Sequence, residues 1–206
     1  MTHRKTWLVT PDKFLTADHV QRLREHLELR RRRGRGSGDR KAVRDAAIIE
    51  VLLSTGLRVS EVCDLVVGDI FLDTGHVLVR RGKGNRARLV AIPKTLAEYL
   101  DEFVLWTSKV RKEVDADGPL FVSQRGAGLS RSGVHRIWKA ALEAAGLPTT
   151  WGVHATRHSY ATELYRRTRD LRLTQRQLGH SSPIVTQVYA SLVDEDVRRG
   201  VEKVWS

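Results

Sequence analysis

Apolar residues recur at helical spacing along most of the chain, and this pattern predicts a largely helical protein. In the first such stretch, Val20, Leu23 and Leu27 share one helix face, and Thr16 is placed to cap the helix. Gly56 closes the second stretch, because glycine readily adopts the left-handed conformation that ends helices. The predicted helices span residues 16–29, 41–54, 96–114, 130–145, 154–167, 174–179, 183–189 and 194–204, with a short one from about Ser60, its N-cap.

Between residues 77 and 92 the pattern changes to that of two short strands. Residues 77–80 and 88–92 are rich in β-branched and apolar side chains, and they flank Gly82-Lys83-Gly84-Asn85, a composition typical of a hairpin tip. Pro93 either ends the second strand or begins the next helix. The predicted fold class is therefore mainly α with a small antiparallel β-sheet (α+β).

Residues 30–38 form a cationic, glycine-rich run, which predicts a mobile loop. Two interpretations remain open for it. The run is either a solvated connector or an arm in which Arg31, Arg32 and Arg33 contact phosphates, since flexible basic segments bind nucleic-acid backbones readily.

The charge of the chain points to a polyanionic partner. Lys and Arg number 36 against 24 Asp and Glu among 206 residues, a formal net charge of +12. Such a surplus favours nucleic acid, although ribosomal, histone-like and peripheral membrane proteins share it. A single cysteine, Cys63, excludes an intrachain disulfide and a cysteine-based zinc site. Without a secretory signal or an apolar run that spans a bilayer, we expect a soluble protein of a reducing compartment.

Two segments combine polar residues with helix boundaries. Arg58 lies at a turn between two predicted helices, and Glu61, one helical turn later, is placed to orient it. His154 and Arg157 are three residues apart and therefore share a helix face. Tyr189 follows further along, nine residues after His180.

At these positions the sequence resembles the tyrosine recombinases, also called the phage integrase family, over roughly residues 40–192. The matching motifs, in the family's order, are Thr55-Gly56-Leu57-Arg58-Val59-Ser60-Glu61, Gly82-Lys83-Gly84, His154-x-x-Arg157-His158-Ser159-Tyr160-Ala161-Thr162, Leu178-Gly179-His180-Ser181-Ser182 and Thr186-Gln187-Val188-Tyr189. The resemblance implies the catalytic domain fold of these DNA breaking-rejoining enzymes.

The resemblance also implies a role for each residue. Tyr189 attacks a phosphodiester to give a 3′-phosphotyrosine, and Lys83 is the general acid for the departing 5′-hydroxyl. The remaining catalytic residues are Arg58, Arg157, His154 and His180, with Glu61 and His158 in supporting positions. Two guanidinium groups suit the charge that develops on the phosphate oxygens, and the covalent link makes a nucleotide cofactor or metal unnecessary.

Taken alone, each of these side chains has a structural alternative. An arginine at a helix junction caps carbonyls, and a histidine in a helix is usually structural. Lys83 suits an exposed glycine turn, and Tyr189 suits a core position. Structural residues have no reason to reproduce the whole ordered set. The rival tyrosines Tyr160 and Tyr165 are interpreted as packing residues on the helix of His154.

Further basic residues are candidates for contacts with double-stranded DNA. Those around the hairpin suit phosphates, and those of the 130–145 helix suit the major groove. These candidates are Arg81, Arg86, Arg88, Arg131, His135 and Arg136.

Three regions are predicted along the chain: an N-terminal helix and flexible loop at 1–39, the catalytic domain at 40–192, and a tail helix at 193–206. The short first region resembles fimbrial-type invertases that lack the family's N-terminal clamp, and a truncated piece or a decayed element is the alternative. The tail helix, with its stripe Val197, Val201 and Val204, docks either on a neighbouring subunit or on its own core. We expect weak single-site binding, and hence a tetramer on DNA from a free monomer.

The leading function is therefore a cytoplasmic, nucleoid-associated site-specific recombinase of prokaryotic, phage or plasmid origin, performing integration, excision or inversion. A type IB topoisomerase-like relaxing activity and a non-catalytic DNA-binding regulator are the alternatives. A metal-dependent nuclease ranks low, because the sequence has no visible carboxylate cluster of the two-metal type.

Overall fold

The computed structural model describes residues 14–80, 87–111 and 115–179 of the chain. This part has seven α-helices and one small sheet. The helices are α1 (Ala17–Ser37), α2 (Arg40–Thr55), α3 (Val59–Cys63), α4 (Lys94–Arg111), α5 (Arg131–Ala144), α6 (His154–Thr168) and α7 (Leu171–Leu178). The strands are β1 (Ile70–Phe71), β2 (His76–Val79) and β3 (Arg88–Ala91). The predicted class, mainly α with a small antiparallel sheet, is confirmed.

Helix α2 is the centre of the hydrophobic core. Most of its side chains are buried, and it packs against α1, α4, α5 and α6. The carboxylate of Asp39 caps its first turn by accepting the backbone N–H of Ala42 at 3.0 Å. At the other end Gly56 adopts a left-handed conformation with φ +64°, as predicted from the sequence. A rigid α2 therefore delivers the following residues, including Arg58, to a defined place.

The sheet has the strand order β1-β2-β3 and is antiparallel throughout. Leu78 pairs with Leu89 in the hairpin, and Val79 pairs with Arg88. The two-residue strand β1 was not predicted, because two residues are too few for an alternating pattern to register. The predicted hairpin tip, residues 82–85, lies outside the described residues.

The mobile loop predicted for residues 30–38 is wrong. Helix α1 continues to Ser37 and ends at Gly38 in the left-handed conformation. Gly34 is a packing position, because a Cβ there would lie 2.9 Å from the Cβ of Ala42 on α2. Arg31 is tied down by two bonds to Glu28 and one to Glu102 of α4, at 2.8 to 3.0 Å. These contacts hold the basic run in the helix.

Other boundaries differ by a few residues. Helix α3 begins at Val59, so the N-cap position belongs to Arg58 and not to Ser60. Helix α7 begins at Leu171, because the carboxylate of Asp170 accepts the N–H of Leu173 at 2.9 Å and caps a turn earlier than expected. The predicted helices 183–189 and 194–204 lie outside the described residues. No helix in the described part of the chain is both long and apolar enough to cross a lipid bilayer.

Candidate active site

The candidate site is built where the ends of α2 and α7 meet the face of α6. At Gly56, a Cβ would lie 2.6 Å from Cδ1 of Tyr160 and 3.0 Å from Cδ2 of Leu178. Only a glycine leaves room for this approach, and its positive φ favours the same residue. The chain that leaves α2 is thereby brought next to the first turns of α6.

Arg157 joins these elements. Its Nη1 donates to the carbonyl oxygen of Gly56 and its Nη2 to that of Leu178, each at 2.7 Å. The side chain is almost fully buried, with 2% of the residue exposed. Both carbonyls belong to helix C-termini, where a positive charge is favourable. Sequence reasoning offered carbonyl capping as the alternative role of Arg58, whereas the structure shows these bonds at Arg157. The role of Arg157 toward a phosphate stays a prediction.

Glu61 binds two arginines at once. It accepts the backbone N–H of Arg58 at 2.8 Å, and its Oε1 accepts Nη1 of the same residue at 2.8 Å. It also accepts Nη1 and Nη2 of Arg88, at 2.9 and 3.0 Å. Burial raises the pKa of Glu61, but the hydrogen bonds and charges of Arg88 and Arg58 outweigh it and leave the pKa below its usual value. The carboxylate is therefore ionised.

Arg88, a candidate for contact with DNA phosphates, is mostly buried. Its side chain is 15% exposed and turned toward Glu61. The strand pattern contained a signal for this, because Arg88 alternates in phase with the buried Val90 and lies opposite the buried Val79. Sequence reasoning missed it by treating every arginine near the hairpin as exposed.

His154 lies at the start of α6, near the guanidinium groups of Arg58 and Arg157. Its side chain reaches solvent, yet burial of part of the ring lowers its pKa, and the charges of Arg157 and Arg58 lower it further. His158 packs against it edge to face, with 4.7 Å between the ring centroids. Neutral imidazole, the form that accepts a proton, is therefore favoured at His154 near neutral pH.

The structure thus brings together Arg58, His154 and Arg157, which come from segments about a hundred positions apart. The other predicted catalytic residues, Lys83, His180 and Tyr189, lie outside the described residues, as do Arg81 and Arg86. In the sequence, Lys83 falls between β2 and β3 and His180 follows Gly179. Strand β3 and the end of α7, which flank these two residues in the sequence, both lie at the site. They also approach each other closely there, because a Cβ on Gly179 would lie 2.6 Å from Nε of Arg88.

The two rival tyrosines lie on α6. Tyr160 is half-buried, and its hydroxyl accepts a hydrogen bond from Nε2 of Gln177 at 3.0 Å. Burial raises the pKa of Tyr160, which disfavours the phenolate that a nucleophile needs. Tyr160 packs against Ala161 and Leu178, in keeping with its interpretation as a packing residue.

The basic residues of α5 form an exposed row. Arg131, His135 and Arg136 face solvent, while Val134 and Trp138 face the core. Arg32 and Arg33 of α1 are exposed as well, whereas Arg31 is engaged with Glu28, Glu102 and the ring of Tyr99. Within the described ranges, no group of three or more acidic, histidine or cysteine side chains is arranged to hold a metal ion.

Comparison with known proteins gives one consistent result. Residues 13–196, a range that includes α1, match the model of the phage integrase family. The chain is 38% identical over 183 residues to the tyrosine recombinase XerD of Oceanobacillus iheyensis, covering 87% of this chain and 57% of that protein. It is 32% identical over 197 residues to XerA of Pyrococcus furiosus, covering 94% and 62%. It therefore spans little more than half the length of these relatives.

Solved structures agree in fold. The crystal structure of a XerA recombinase superimposes with a TM-score of 0.74 at 29% identity, over 94% of this chain and 65% of that one. A XerH site-specific recombinase in a post-cleavage complex with its palindromic difH substrate gives a TM-score of 0.75 at 23% identity, over 100% and 58%.

Proposed function

This chain belongs to the phage integrase family, and on that premise we propose that it is a site-specific DNA recombinase that cleaves and rejoins DNA through a 3′-phosphotyrosine. The observation that carries the proposal is the convergence of Arg58, His154 and Arg157 on the junction of α2, α6 and α7. Relatives named as tyrosine recombinases support the same activity, and a site-specific recombinase of the same fold is bound to its DNA substrate.

The charge of the site suits a phosphodiester. Among the described residues, three arginines, Arg58, Arg88 and Arg157, stand against the carboxylate of Glu61. The net charge of these groups is positive, and their hydrogen bonds hold them in position before DNA binds. Preorganised donors aimed at charge that develops in the transition state commonly make the largest single contribution to catalysis. In this proposal the guanidinium groups of Arg58 and Arg157 stabilise the phosphate oxygens as the phosphorus becomes five-coordinate.

The proton transfers involve the neighbouring groups. The phenol oxygen of Tyr189 forms a bond to phosphorus, and its proton passes to the neutral imidazole of His154. The bond from phosphorus to the 5′ oxygen breaks, and Lys83 protonates that oxygen, with His180 as a further hydrogen-bond donor to the phosphate. Reversal of these steps by a different 5′-hydroxyl rejoins the strand, so the bond energy stays in the covalent link.

Double-stranded DNA is the proposed substrate, with α5 at the major groove and a homo-tetramer assembled on DNA. The exposed row Arg131, His135 and Arg136 supports the placement of α5. Gel filtration of the chain on DNA, with and without the residues after Asp194, tests whether the tail helix is exchanged between subunits. An unchanged multimer size on truncation would remove the exchange.

A nicked suicide substrate, incubated without divalent metal, tests the activity itself. We expect a covalent protein–DNA adduct from the wild type and none from Tyr189→Phe. Tyr160→Phe is the matched control, since it removes a hydroxyl bonded to Gln177 and should leave the adduct intact. DNA binding without any adduct from the wild type would favour the regulator instead. Recombinant junctions, as opposed to relaxed circles alone, separate a recombinase from a topoisomerase.

A further inference from the structure

The carboxylate of Glu61 is saturated with donors. It accepts four hydrogen bonds of 2.8 to 3.0 Å, two from Arg58 and two from Arg88. An ionised carboxylate offers about four lone-pair positions, so both oxygens are fully used. Glu61 is 4% exposed, and water therefore has little access to replace a missing donor.

Arg58 and Arg88 share the one negative charge of Glu61. With Arg88 in place, the carboxylate of Glu61 therefore neutralises the positive charge of Arg58 only in part. If Arg88 were absent, the whole charge of Glu61 would face Arg58, and two lone pairs of the carboxylate would lack donors in a buried site. The guanidinium would then be drawn toward Glu61 and away from a bound phosphate.

We propose that Arg88 is a positioning residue for strand transfer: it clamps Glu61 with both amino groups and thereby keeps Arg58 oriented and cationic toward the scissile phosphate. This inference rests on the proposed function and assigns Arg88 a role other than contact with DNA. It predicts that replacement of Arg88 lowers the rate of the chemical step and leaves the affinity for DNA unchanged.

The surroundings of Arg88 fit this role. Its Nε is buried and, unlike both amino groups, has no hydrogen-bond partner in the described part of the chain. That atom faces Gly179, where a Cβ would lie only 2.6 Å away. Arg88 is thus held between Glu61 and the end of α7, and its side chain does not reach out to a DNA backbone. Because Gly179 has no side chain, it leaves room for the guanidinium of Arg88.

Arg88→Gln tests the inference in two measurements on the 206-residue chain. The first is the single-turnover rate of adduct formation on the nicked substrate at saturating DNA, which we expect to fall about 10- to 100-fold. Direct removal of a transition-state donor costs about 100- to 1000-fold, and a residue acting through another should cost less. The second is DNA affinity as a function of salt, which should keep its wild-type slope. A lost phosphate contact would instead reduce the slope by about 0.9.

Arg80→Gln is the matched control. Arg80 follows β2 at the same end of the hairpin and binds Asp69 at 2.6 Å, away from Glu61. Its replacement should leave the rate of adduct formation at the wild-type value. An equal loss in both variants would mean that the hairpin has merely been loosened, and would overturn the specific role of Arg88.

Two further variants complete the test. Arg88→Lys keeps the charge but not the paired donors, so its rate should lie between those of wild type and Arg88→Gln; it also replaces Arg88→Gln if that variant does not fold. In a Glu61→Gln background, the loss caused by Arg88→Gln should largely disappear, because both act through one carboxylate. A wild-type rate in Arg88→Gln or Arg88→Lys, or a reduced salt slope, would overturn the inference alone. A wild type that forms no adduct would overturn the proposed function.

Discussion

Replacing Arg157 by methionine removes the two hydrogen bonds that tie the C-terminal ends of α2 and α7 to α6. Each bond is 2.7 Å long and is made by a charged donor to a carbonyl in the interior. Such bonds contribute about 1.5–3 kcal/mol each, so removing the pair should lower the free energy of unfolding by about 3–6 kcal/mol. The substitution also removes the desolvation cost of burying the guanidinium, so the net decrease should be about 2–4 kcal/mol. The total free energy of unfolding of a protein domain is only about 5–15 kcal/mol.

Arg58→Met is the matched comparison, because the two arginines share a predicted role but differ in burial. The side chain of Arg58 is 28% exposed, and Glu61 keeps Arg88 as a partner after its loss, so we expect a cost of about 1 kcal/mol or less. Urea unfolding followed by tryptophan fluorescence and circular dichroism gives both values. A loss below about 1 kcal/mol for Arg157→Met, or equal losses for both variants, would refute the reasoning that Arg157 holds the helix ends.

Three other outcomes are expected. Gly56→Ala combines a positive φ with a clash against the tyrosine ring of α6 and should cost about 3 kcal/mol in thermal unfolding, whereas Gly38→Ala, with φ +76° and open space, should cost about 1 kcal/mol. Gln177→Met removes both side-chain bonds to the backbone of Ala91, so hydrogen exchange at that amide should accelerate. Because the fold lowers the pKa of His154, the folded state binds its proton less tightly than the unfolded chain. Stability should therefore fall as pH drops below about 6.5, and His154→Gln should flatten this limb of the Tm curve.

The elements best predicted from sequence are those whose own pattern determines them. Helix α2 was expected at 41–54 and spans Arg40–Thr55, because its apolar residues and the closing Gly56 are local signals. Helix α6 was expected at 154–167 and spans His154–Thr168. Pairing of β2 with β3 followed from the turn-rich stretch between two β-branched runs.

Features that depend on distant partners were not accessible in this way. The basic run reads as a loop because its three glycines are unfavourable for a helix, yet Arg31 gains Glu102 and Tyr99, about seventy positions away. Arg58 and Arg157 are 99 positions apart (157 less 58), and only the family resemblance predicted that they meet. The burial of Arg157 between two carbonyls is a tertiary property, which residue type alone does not encode.

The side-chain amide of Gln177 has a consequence for how copies of this chain can associate. It binds both the N–H and the carbonyl oxygen of Ala91, on the side of β3 that faces away from β2. Outward-facing residues alternate along an antiparallel strand, so of the four residues of β3 only Leu89 keeps its backbone directed outward in the same way. One residue is too short a template for a visiting strand, and the sheet cannot be extended from one molecule into the next along this side. In the tetramer proposed on DNA, contacts between copies would therefore not form by pairing of strands along the described residues of β3.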